Sequence, residues 1–403
     1  MSLLISTGNG ALICHLNYIN KIYNSVENNN NEKLKLQFND KLFKLTSKYL
    51  RDNQVKNNIE DKCIKKCRKR KKADVSISPT DHKKIQFIHE NFDKIITVDV
   101  KKNFFNCFNV NDNNIEARAA SDNFYCNTFN EQTEFYGSNP TNFSVIKKIN
   151  DVDYVFPNDC KFYCYDVRLI SKKIDLINQY DFVLMDPPWW NKFIRRKKET
   201  KARSGCGNFF FHQLVVVFCC IFNVIYFYSY EMMYNDELVD IPIAKLLTKT
   251  GIVGIWCTNA KSHLNHIVDV MLPAWGMKVV ATWYWVKVTQ LGDPICDFNY
   301  KMGKQPYELL IFGARVENND VKIPDQWLLV SVPSSVHSHK PPLTEIMEPY
   351  LPKNPNCLEI FARYLLPRWT SWGLEVLKFQ NMMLYNSIKN KEDTSLLINH
   401  NAN

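Results

Sequence analysis

The stretch YDFVLMDPPW, residues 180–189, decides the fold and the chemistry of this chain. Its first six residues are mostly apolar, as in a buried strand, and an acid, two prolines and a tryptophan follow where that strand ends. The prolines fix φ and have no N–H group, so their carbonyl oxygens should remain free acceptors in a stiff turn. Asp186 can accept hydrogen bonds from an amine, and Trp189 offers a flat face. The stretch therefore predicts a pocket for a planar ring that carries an exocyclic amino group.

Alternating strand and helix patterns surround this stretch from residue 151 onward. Strands are predicted near 162–165, 251–258, 279–288, 307–312, 327–332 and 357–361. One helix is predicted at 260–272, and another runs to Tyr350 with Pro341 in its first turn. Such alternation is typical of an α/β sheet whose ligands bind at the carboxyl ends of its strands. We assign residues 151–385 to this domain and residues 386–403 to a tail.

The first 150 residues give weaker patterns. Residues 1–80 predict a poorly ordered amino-terminal region with one amphipathic helix within Leu12 to Val26. Residues 81–150, an accessory region, indicate helices and strands only faintly. The run KKCRKRKK, residues 65–72, is either a solvated charged loop or a nuclear localisation signal or nucleic-acid contact. Repulsion among its cations favours a functional role.

The composition is that of a globular protein with an excess of basic residues. Of the 403 residues 45% are hydrophobic and 13% aromatic, and the net charge of +10 fits a polyanionic partner such as nucleic acid. An odd count of 13 cysteines at irregular spacing argues against a disulfide framework. Cys63 and Cys67 lack the second pair that a zinc site needs, so no metal is predicted. Residues 1–15 lack a basic segment followed by a long apolar run, so we expect no secretory signal and a reducing compartment.

Residues 204–230 contain no charged side chain and form an apolar insertion in the predicted domain. Length alone allows a membrane span, with the basic residues before it as a flank. A single crossing, however, would separate two strands that should belong to one sheet. The alternatives are a buried or interfacial segment and a stretch foreign to the fold, such as translated intron. We favour the foreign stretch over a membrane anchor.

Four motifs in a fixed order identify a family. Asp166 and Val167 follow a predicted strand, DPPW occupies residues 186–189, HSHKPP occupies 337–342, and EIFAR at 359–363 leads into WTSWG at 369–373. This set resembles the adenine-N6 methyltransferases related to the catalytic subunit of the mRNA N6-methyladenosine writer. The resemblance implies a Rossmann-like, circularly permuted methyltransferase in which the catalytic strand precedes the cofactor-binding strand. It also implies S-adenosylmethionine as the cofactor.

The resemblance assigns roles to the catalytic box, residues 186–189. Asp186 and the carbonyl group of Pro187 would accept the two hydrogens of an adenine amino group, which raises the electron density on the nitrogen as it attacks the sulfonium methyl. Pro188 would shape the pocket wall. Trp189 would stack on the base, an interaction typically worth ~1–3 kcal/mol. Most of the rate would come from positioning an in-line attack.

The resemblance also assigns the cofactor to four further residues. Asp166 would bind its amino group and Val167 its adenine edge. Lys340 would meet its carboxylate, and Arg363 would contact the ribose or neighbouring groups. Taken without the box, Asp166 would be an ordinary turn former, and Lys340 and Arg363 would be surface cations.

Three positions depart from the family pattern. Tyr364 and Leu374 stand where relatives usually carry Asn near the ribose hydroxyls. Leaving a buried hydroxyl group unpaired costs ~1–3 kcal/mol, so weaker cofactor binding is expected. Trp190 replaces an expected polar residue and would extend the stacking surface.

The preferred function is a nuclear enzyme that methylates adenine in RNA. The resemblance to one group of the family implies that the substrate is the 2′-O-methyladenosine of U2 small nuclear RNA. Lys192, Arg195 and Arg196 would contact phosphates, or else form a solvated loop. Methylation of DNA adenine is the close alternative, and a duplex would require base flipping. A catalytically inactive nucleic-acid-binding scaffold is the alternative from another class, and a membrane-tethered protein rests only on residues 204–230.

Overall fold

A mixed sheet of eleven strands organises the protein. The computed structural model describes residues 2–48, 78–106, 112, 114–128, 134–174, 179–190, 232–300 and 303–388. Within these ranges the strands are β1 (Leu3–Thr7), β2 (Gly10–Ile13), β3 (Val26–Glu27), β4 (Lys33–Phe38), β5 (Phe135–Asn139), β6 (Ser144–Ile149), β7 (Val152–Phe156), β8 (Cys160–Cys164), β9 (Tyr180–Met185), β10 (Leu247–Cys257), β11 (Met277–Lys287), β12 (Tyr307–Arg315), β13 (Trp327–Ser331), β14 (Cys357–Ile360), β15 (Trp369–Trp372) and β16 (Tyr385–Ile388).

Helices cover the faces of the sheet. They are α1 (His15–Ile22), α2 (Pro79–Ile95), α3 (Val98–Phe104), α4 (Ile115–Asn127), α5 (Ile170–Lys173), α6 (Asn235–Val239), α7 (Ile243–Leu246), α8 (Lys261–His266), a π-helical turn (Ile267–Met271), α9 (Leu272–Ala274) and α10 (Thr344–Met347). In α2, the hydroxyl group of Ser78 caps the first turn and Pro79 occupies the start. The apolar face of α2 is buried against the main sheet.

The strand order of the main sheet is β1-β2-β13-β11-β12-β10-β9-β14-β15-β8-β5. The five strands from β10 to β8 in this order are parallel to one another, whereas β12 runs antiparallel to both β10 and β11. A second sheet has the order β16-β4-β3-β6-β7. The predicted α/β, Rossmann-like class is confirmed, and the predicted strands from β8 to β14 are all present.

The central strand β9 places the catalytic box. Its alternate residues are buried on opposite faces, with Val183 and Met185 in one apolar cluster and Phe182 and Leu184 in another. The parallel pairing of β9 with β14 aligns Met185 with Ile360. Both strands therefore end at the same edge of the sheet. β9 precedes β14 in the sequence, which is the order expected of the permuted fold.

The predicted helix within residues 12–26 is present as α1, which is shorter than the widest predicted range. Residues 11–13 are buried in β2, which pairs parallel with β13, for example Ala11 with Leu329. The helix begins only at His15, where the thiol of Cys14 accepts a hydrogen bond from the backbone N–H of Asn17. The apolar run is thus used as a strand, because its partner comes from the far end of the chain. The basic run 65–72 lies outside the described residues.

The two prolines at 341–342 do not begin a helix, contrary to the prediction. α10 begins at Thr344, and the prolines belong to the irregular segment that carries Lys340. Ser338 adopts a left-handed conformation, with φ 63°, just before this segment. The two prolines, whose φ angles are fixed by their rings, restrict the backbone just after Lys340.

The two ends of the segment that holds the apolar insertion lie side by side. The backbone N–H of Met233 donates to the carbonyl oxygen of Pro188 at 3.1 Å, and Trp190 stacks on Tyr234 with ring centroids 4.8 Å apart. Residues 204–230 themselves lie outside the described residues. Among the helices that the structure describes, none is long and apolar enough to span a membrane.

The contact of β2 with β13 gives a test of the amino-terminal hairpin. A β-carbon on Gly10 would overlap the backbone oxygen of Leu328, whereas a β-carbon on Gly8 would meet nothing within 4 Å. Gly10→Ala should lower the free energy of unfolding by ~1–3 kcal/mol. Gly8→Ala should change it by less than about 0.5 kcal/mol. Urea denaturation of both variants measures the difference, and equal stability would show that the hairpin does not join the sheet.

Deletion of residues 205–227 tests whether the apolar segment belongs to the fold. Because Pro188 and Met233 are already hydrogen-bonded, shortening the connection between them changes the loop-closure free energy by less than about 1 kcal/mol. We expect a melting temperature within a few degrees of the parent protein and higher solubility. Loss of the cooperative thermal transition would contradict this expectation.

Candidate active site

Asp186 lies at the carboxyl end of β9 and is 8% exposed. Its backbone N–H donates to the carbonyl oxygen of Ile360, the last residue of β14, at 3.4 Å. The next residue on that strand, Phe361, has φ 65°, and a β-carbon on Gly373 would lie 2.7 Å from the backbone oxygen of Ala362. The backbones at the ends of β14 and β15 are therefore in close contact beside the Asp186 carboxylate.

Two cations bracket the carboxylate of Asp186. The ammonium group of Lys340 lies 3.2 Å from Oδ1, and a guanidinium nitrogen of Arg363 lies 2.9 Å from Oδ2. Both cations are buried, so these pairs are only weakly screened by solvent. The structure thus brings Lys340 and Arg363, from two separate motifs, onto the first residue of the catalytic box.

These pairs belong to a longer chain of alternating charges, here named the ion chain. On one side Lys340 also contacts Glu308, with 2.8 Å between Nζ and Oε2, and Glu308 in turn contacts Lys287. On the other side Arg363 contacts Glu375 at 3.0 Å between Nε and Oε2, and Glu375 contacts Lys378 at 2.7 Å. The members are Lys287, Glu308, Lys340, Asp186, Arg363, Glu375 and Lys378. Alternation of sign offsets the cost of removing each charge from water.

The pKa values within the ion chain follow from this alternation. Burial alone would raise the pKa of Glu308, but Lys287 and Lys340 hold it well below its ordinary value. Burial would likewise lower the pKa of Lys340, but Asp186 and Glu308 raise it above its ordinary value. Both groups are therefore charged at neutral pH.

The sequence predicted that the carbonyl groups of Pro187 and Pro188 are free acceptors, but both accept hydrogen bonds within the protein. The carbonyl oxygen of Pro187 accepts from the backbone N–H of Trp189 at 2.8 Å, and that of Pro188 accepts from Met233. The turn itself satisfies the carbonyl group of Pro187, and a separate segment satisfies that of Pro188. Since each carbonyl oxygen has two lone pairs, the oxygen of Pro187 keeps the capacity for one more hydrogen bond.

Trp189 is fixed in the site and is 9% exposed. Its indole N–H donates to the backbone oxygen of Trp256 at 2.9 Å, which orients the ring. The ring of His263 lies against it, with centroids 4.9 Å apart. Burial lowers the pKa of His263, so this neighbour is an uncharged aromatic ring at neutral pH.

Asp166 and Val167 follow β8, whose carboxyl end lies at the same edge of the sheet as that of β9. Asp166 accepts from the backbone N–H of Arg168 at 2.8 Å and forms an ion pair with its side chain at 2.8 Å, so it caps a 3-10 turn. Val167 is buried in the apolar core. The structure therefore places both residues at the predicted edge, with the Asp166 carboxylate engaged in the turn.

The residues that depart from the family pattern lie in different surroundings. The ring of Tyr364 packs near His339 and lines a cavity of about 20 Å³ together with His15. The backbone oxygen of Leu374 accepts from the thiol of Cys164 at 3.4 Å. Lys192, Arg195 and Arg196 lie outside the described residues.

Sequence reasoning assigned no role to Glu308, Glu359, Glu375 or His263. An acid inside the otherwise apolar strand YELLIFG was a signal for Glu308, because buried acids need partners. The contact of His263 with Trp189 had no comparable signal in the sequence. No group of three His, Cys, Asp or Glu side chains within the described ranges could hold a metal ion.

Comparison with known proteins matches these features to one family. Residues 180–375 match the family model MT-A70. The mouse protein named N(6)-adenine-specific methyltransferase METTL4 is 34% identical over 254 residues, which cover 60% of this chain and 47% of that protein. A Caenorhabditis elegans protein named DNA N6-methyl methyltransferase is 29% identical over 242 residues, which cover 59% of this chain and 57% of that protein. A Pyricularia oryzae protein named N6-methyladenosine RNA methyltransferase MTA1 is 32% identical over 210 residues, which cover 50% of this chain and 48% of that protein.

The chain spans about half the length of the curated relatives it matches. The matched range begins at β9 and ends beyond WTSWG, so it contains the catalytic box, Lys340 and Arg363. Residues 180–375 therefore match the MT-A70 family, in agreement with the resemblance carried by the order of the motifs.

Proposed function

We propose that this chain is an S-adenosylmethionine-dependent methyltransferase that acts on the N6 amino group of adenine in nucleic acid. The observation that carries the proposal is the buried Asp186 carboxylate, bracketed by Lys340 and Arg363 and followed by Trp189. The names of the three relatives above all specify N6 methylation, and two of them name adenine or adenosine, which supports the same reaction here.

The residues at this edge of the sheet fit S-adenosylmethionine. Asp166 would bind the amino group of the cofactor and Lys340 would meet its carboxylate, which leaves Asp186 for the amine of the substrate. Arg363 would contact the ribose or neighbouring groups, and Val167 would lie at the adenine edge. Oε2 of Glu359 is buried and meets no hydrogen-bond partner among the described residues, as expected of a site that completes its polar contacts on ligand binding. When bound, the cofactor supplies an electrophilic methyl group on sulfur.

Asp186 and Pro187 would hold the amine in place. A carboxylate oxygen of Asp186 and the remaining lone pair of the Pro187 carbonyl accept the two N–H groups of adenine. These bonds raise the electron density on a nitrogen whose lone pair is otherwise delocalised into the ring. Trp189, oriented by its bond to Trp256, supports the base by stacking. No strong base is needed, because the nitrogen becomes acidic only after methylation.

The preferred substrate is RNA in the nucleus, with the 2′-O-methyladenosine of U2 small nuclear RNA as the specific proposal. The excess of basic residues and the run KKCRKRKK support a nuclear, polyanion-binding protein. DNA is the second candidate, because the relative from Caenorhabditis elegans is named as a DNA methyltransferase. Matched RNA and DNA oligonucleotides, with and without 2′-O-methylation of the adenosine, distinguish these substrates.

Glu359 lies near Asp186 but is uncharged, so Asp186 is the charged carboxylate at the centre of the proposed pocket. Burial, and then the neighbouring charge of Asp186, raise the pKa of Glu359 to about 8, and Arg363 offsets this rise only in part. Glu359 is therefore protonated at neutral pH. Its neutrality prevents repulsion of the Asp186 anion that has to accept the amine.

Asp186→Asn tests the catalytic role. The variant loses the anionic acceptor and leaves Lys340 and Arg363 without it, so methyl transfer from labelled S-adenosylmethionine to adenine-containing oligonucleotides should fall by about 100-fold or more. Asp236→Asn makes the same chemical change at a carboxyl group that is 96% exposed and should keep full activity. Equal labelling by the Asp186 variant would refute the assignment, and absence of labelling by the parent protein would favour the inactive scaffold.

Glu359→Gln tests the protonated carboxyl group. The unfolded chain loses this proton near pH 4.5, whereas the folded protein keeps it up to about pH 8, so the free energy of unfolding should fall as pH rises through this window. The glutamine keeps the shape without titrating, and its stability should depend less steeply on pH. Urea denaturation between about pH 5 and about pH 8 measures both slopes. Parallel curves for the two proteins would show that Glu359 is ionised in the folded state.

A further inference from the structure

Glu308 is an acid built into an apolar strand. It is the second residue of β12, and the residues that follow it from 309 to 314 are buried. Its carboxylate lies between the ammonium groups of Lys287 and Lys340. Lys340 in turn contacts Asp186, so one residue links Glu308 to the catalytic box.

The supports of Glu308 and Lys340 differ in rigidity. Glu308 is paired with Trp285 in the antiparallel ladder of β11 and β12, and β11 also supplies Lys287. Lys340, by contrast, lies in the irregular segment between β13 and α10, on a flexible four-carbon side chain. The carboxylate of Glu308, on the central strand β12, therefore holds the ammonium group of Lys340, which the irregular backbone around Lys340 does not fix.

We propose that Glu308 is a positioning residue that holds Lys340 where it can receive the amino-acid carboxylate of the cofactor. Lys287 keeps Glu308 ionised by supplying a second fixed cation. This inference rests on the proposed function, and it concerns a residue outside the motifs that suggested that function.

Glu308 also determines which anion pairs with Lys340. An ammonium group has three donors, so Lys340 can hold Glu308 and a cofactor carboxylate together. Asp186 is then released from Lys340 and becomes available to the amine of the substrate. Without Glu308, Asp186 is the anion that remains beside Lys340, and the two groups neutralise each other. Glu308 thus supplies Lys340 with a second anion, so that this cation does not depend on Asp186 alone.

Calorimetric binding of two ligands to the full chain tests this role. S-adenosylhomocysteine has the amino-acid carboxylate, whereas 5′-methylthioadenosine has the same adenine, ribose and sulfur without it. Glu308→Gln should weaken binding of S-adenosylhomocysteine by about tenfold or more, the factor that follows loss of a charge-assisted hydrogen bond. Binding of 5′-methylthioadenosine should not change.

Three further variants complete the experiment. Lys340→Gln should show the same selective loss, and Glu308→Asp, which keeps the charge, should recover part of the affinity. Glu317→Gln changes an exposed acid just beyond the end of β12 and should bind both compounds as the parent protein does.

The outcomes separate this inference from the proposed function. If the parent protein binds neither compound, the proposed function fails and the role of Glu308 fails with it. If the parent binds S-adenosylhomocysteine and Glu308→Gln binds it equally well, only the role of Glu308 is overturned. Equal weakening of both compounds by Glu308→Gln would show a merely structural role and would also overturn it.

Discussion

A buried carboxylate needs partners, and the pairing of Asp186 with Lys340 and Arg363 is the constraint on which this structure depends. The three residues come from segments far apart in the sequence. Bringing them to one edge requires β9 and β14 to be adjacent and parallel, and it requires the segment after β13 to fold back over the strand ends. The charges that would perform the chemistry are therefore also the charges that hold these segments together.

Much of this arrangement could be predicted from the sequence, because the relevant signals are local. The apolar run before Asp186 and the acid, prolines and tryptophan after it define a strand and its end. The convergence of Lys340 and Arg363 followed from the resemblance to a family. Contacts set by pairing between distant strands could not be predicted. Residues 12–13 fell within the widest range of the predicted helix and are instead part of β2, because their partner strand, β13, lies far along the chain. Glu308 was overlooked because its partners depend on the register of β11 against β12.

The amino-terminal segment supports the site as well as the sheet. The ring of His15 contacts that of His339, the residue before Lys340, with centroids 4.3 Å apart. The hydroxyl group of Tyr18 donates to Thr344 at 2.9 Å, and the backbone N–H of Ser335 donates to the carbonyl oxygen of Leu42 at 2.7 Å. These contacts fix both ends of the segment that carries Lys340. The start of the chain is therefore part of the structure that forms the proposed cofactor site.

The ion chain also has a consequence for how the proposed enzyme would respond to salt. Its members pair with one another beneath the surface, where mobile ions screen charges weakly. Binding to nucleic acid, in contrast, releases counterions and weakens steeply as salt concentration rises. Ionic strength would therefore act on the polymer and spare the small cofactor, so the two partners of one active site would respond differently to the same change in the surrounding solution.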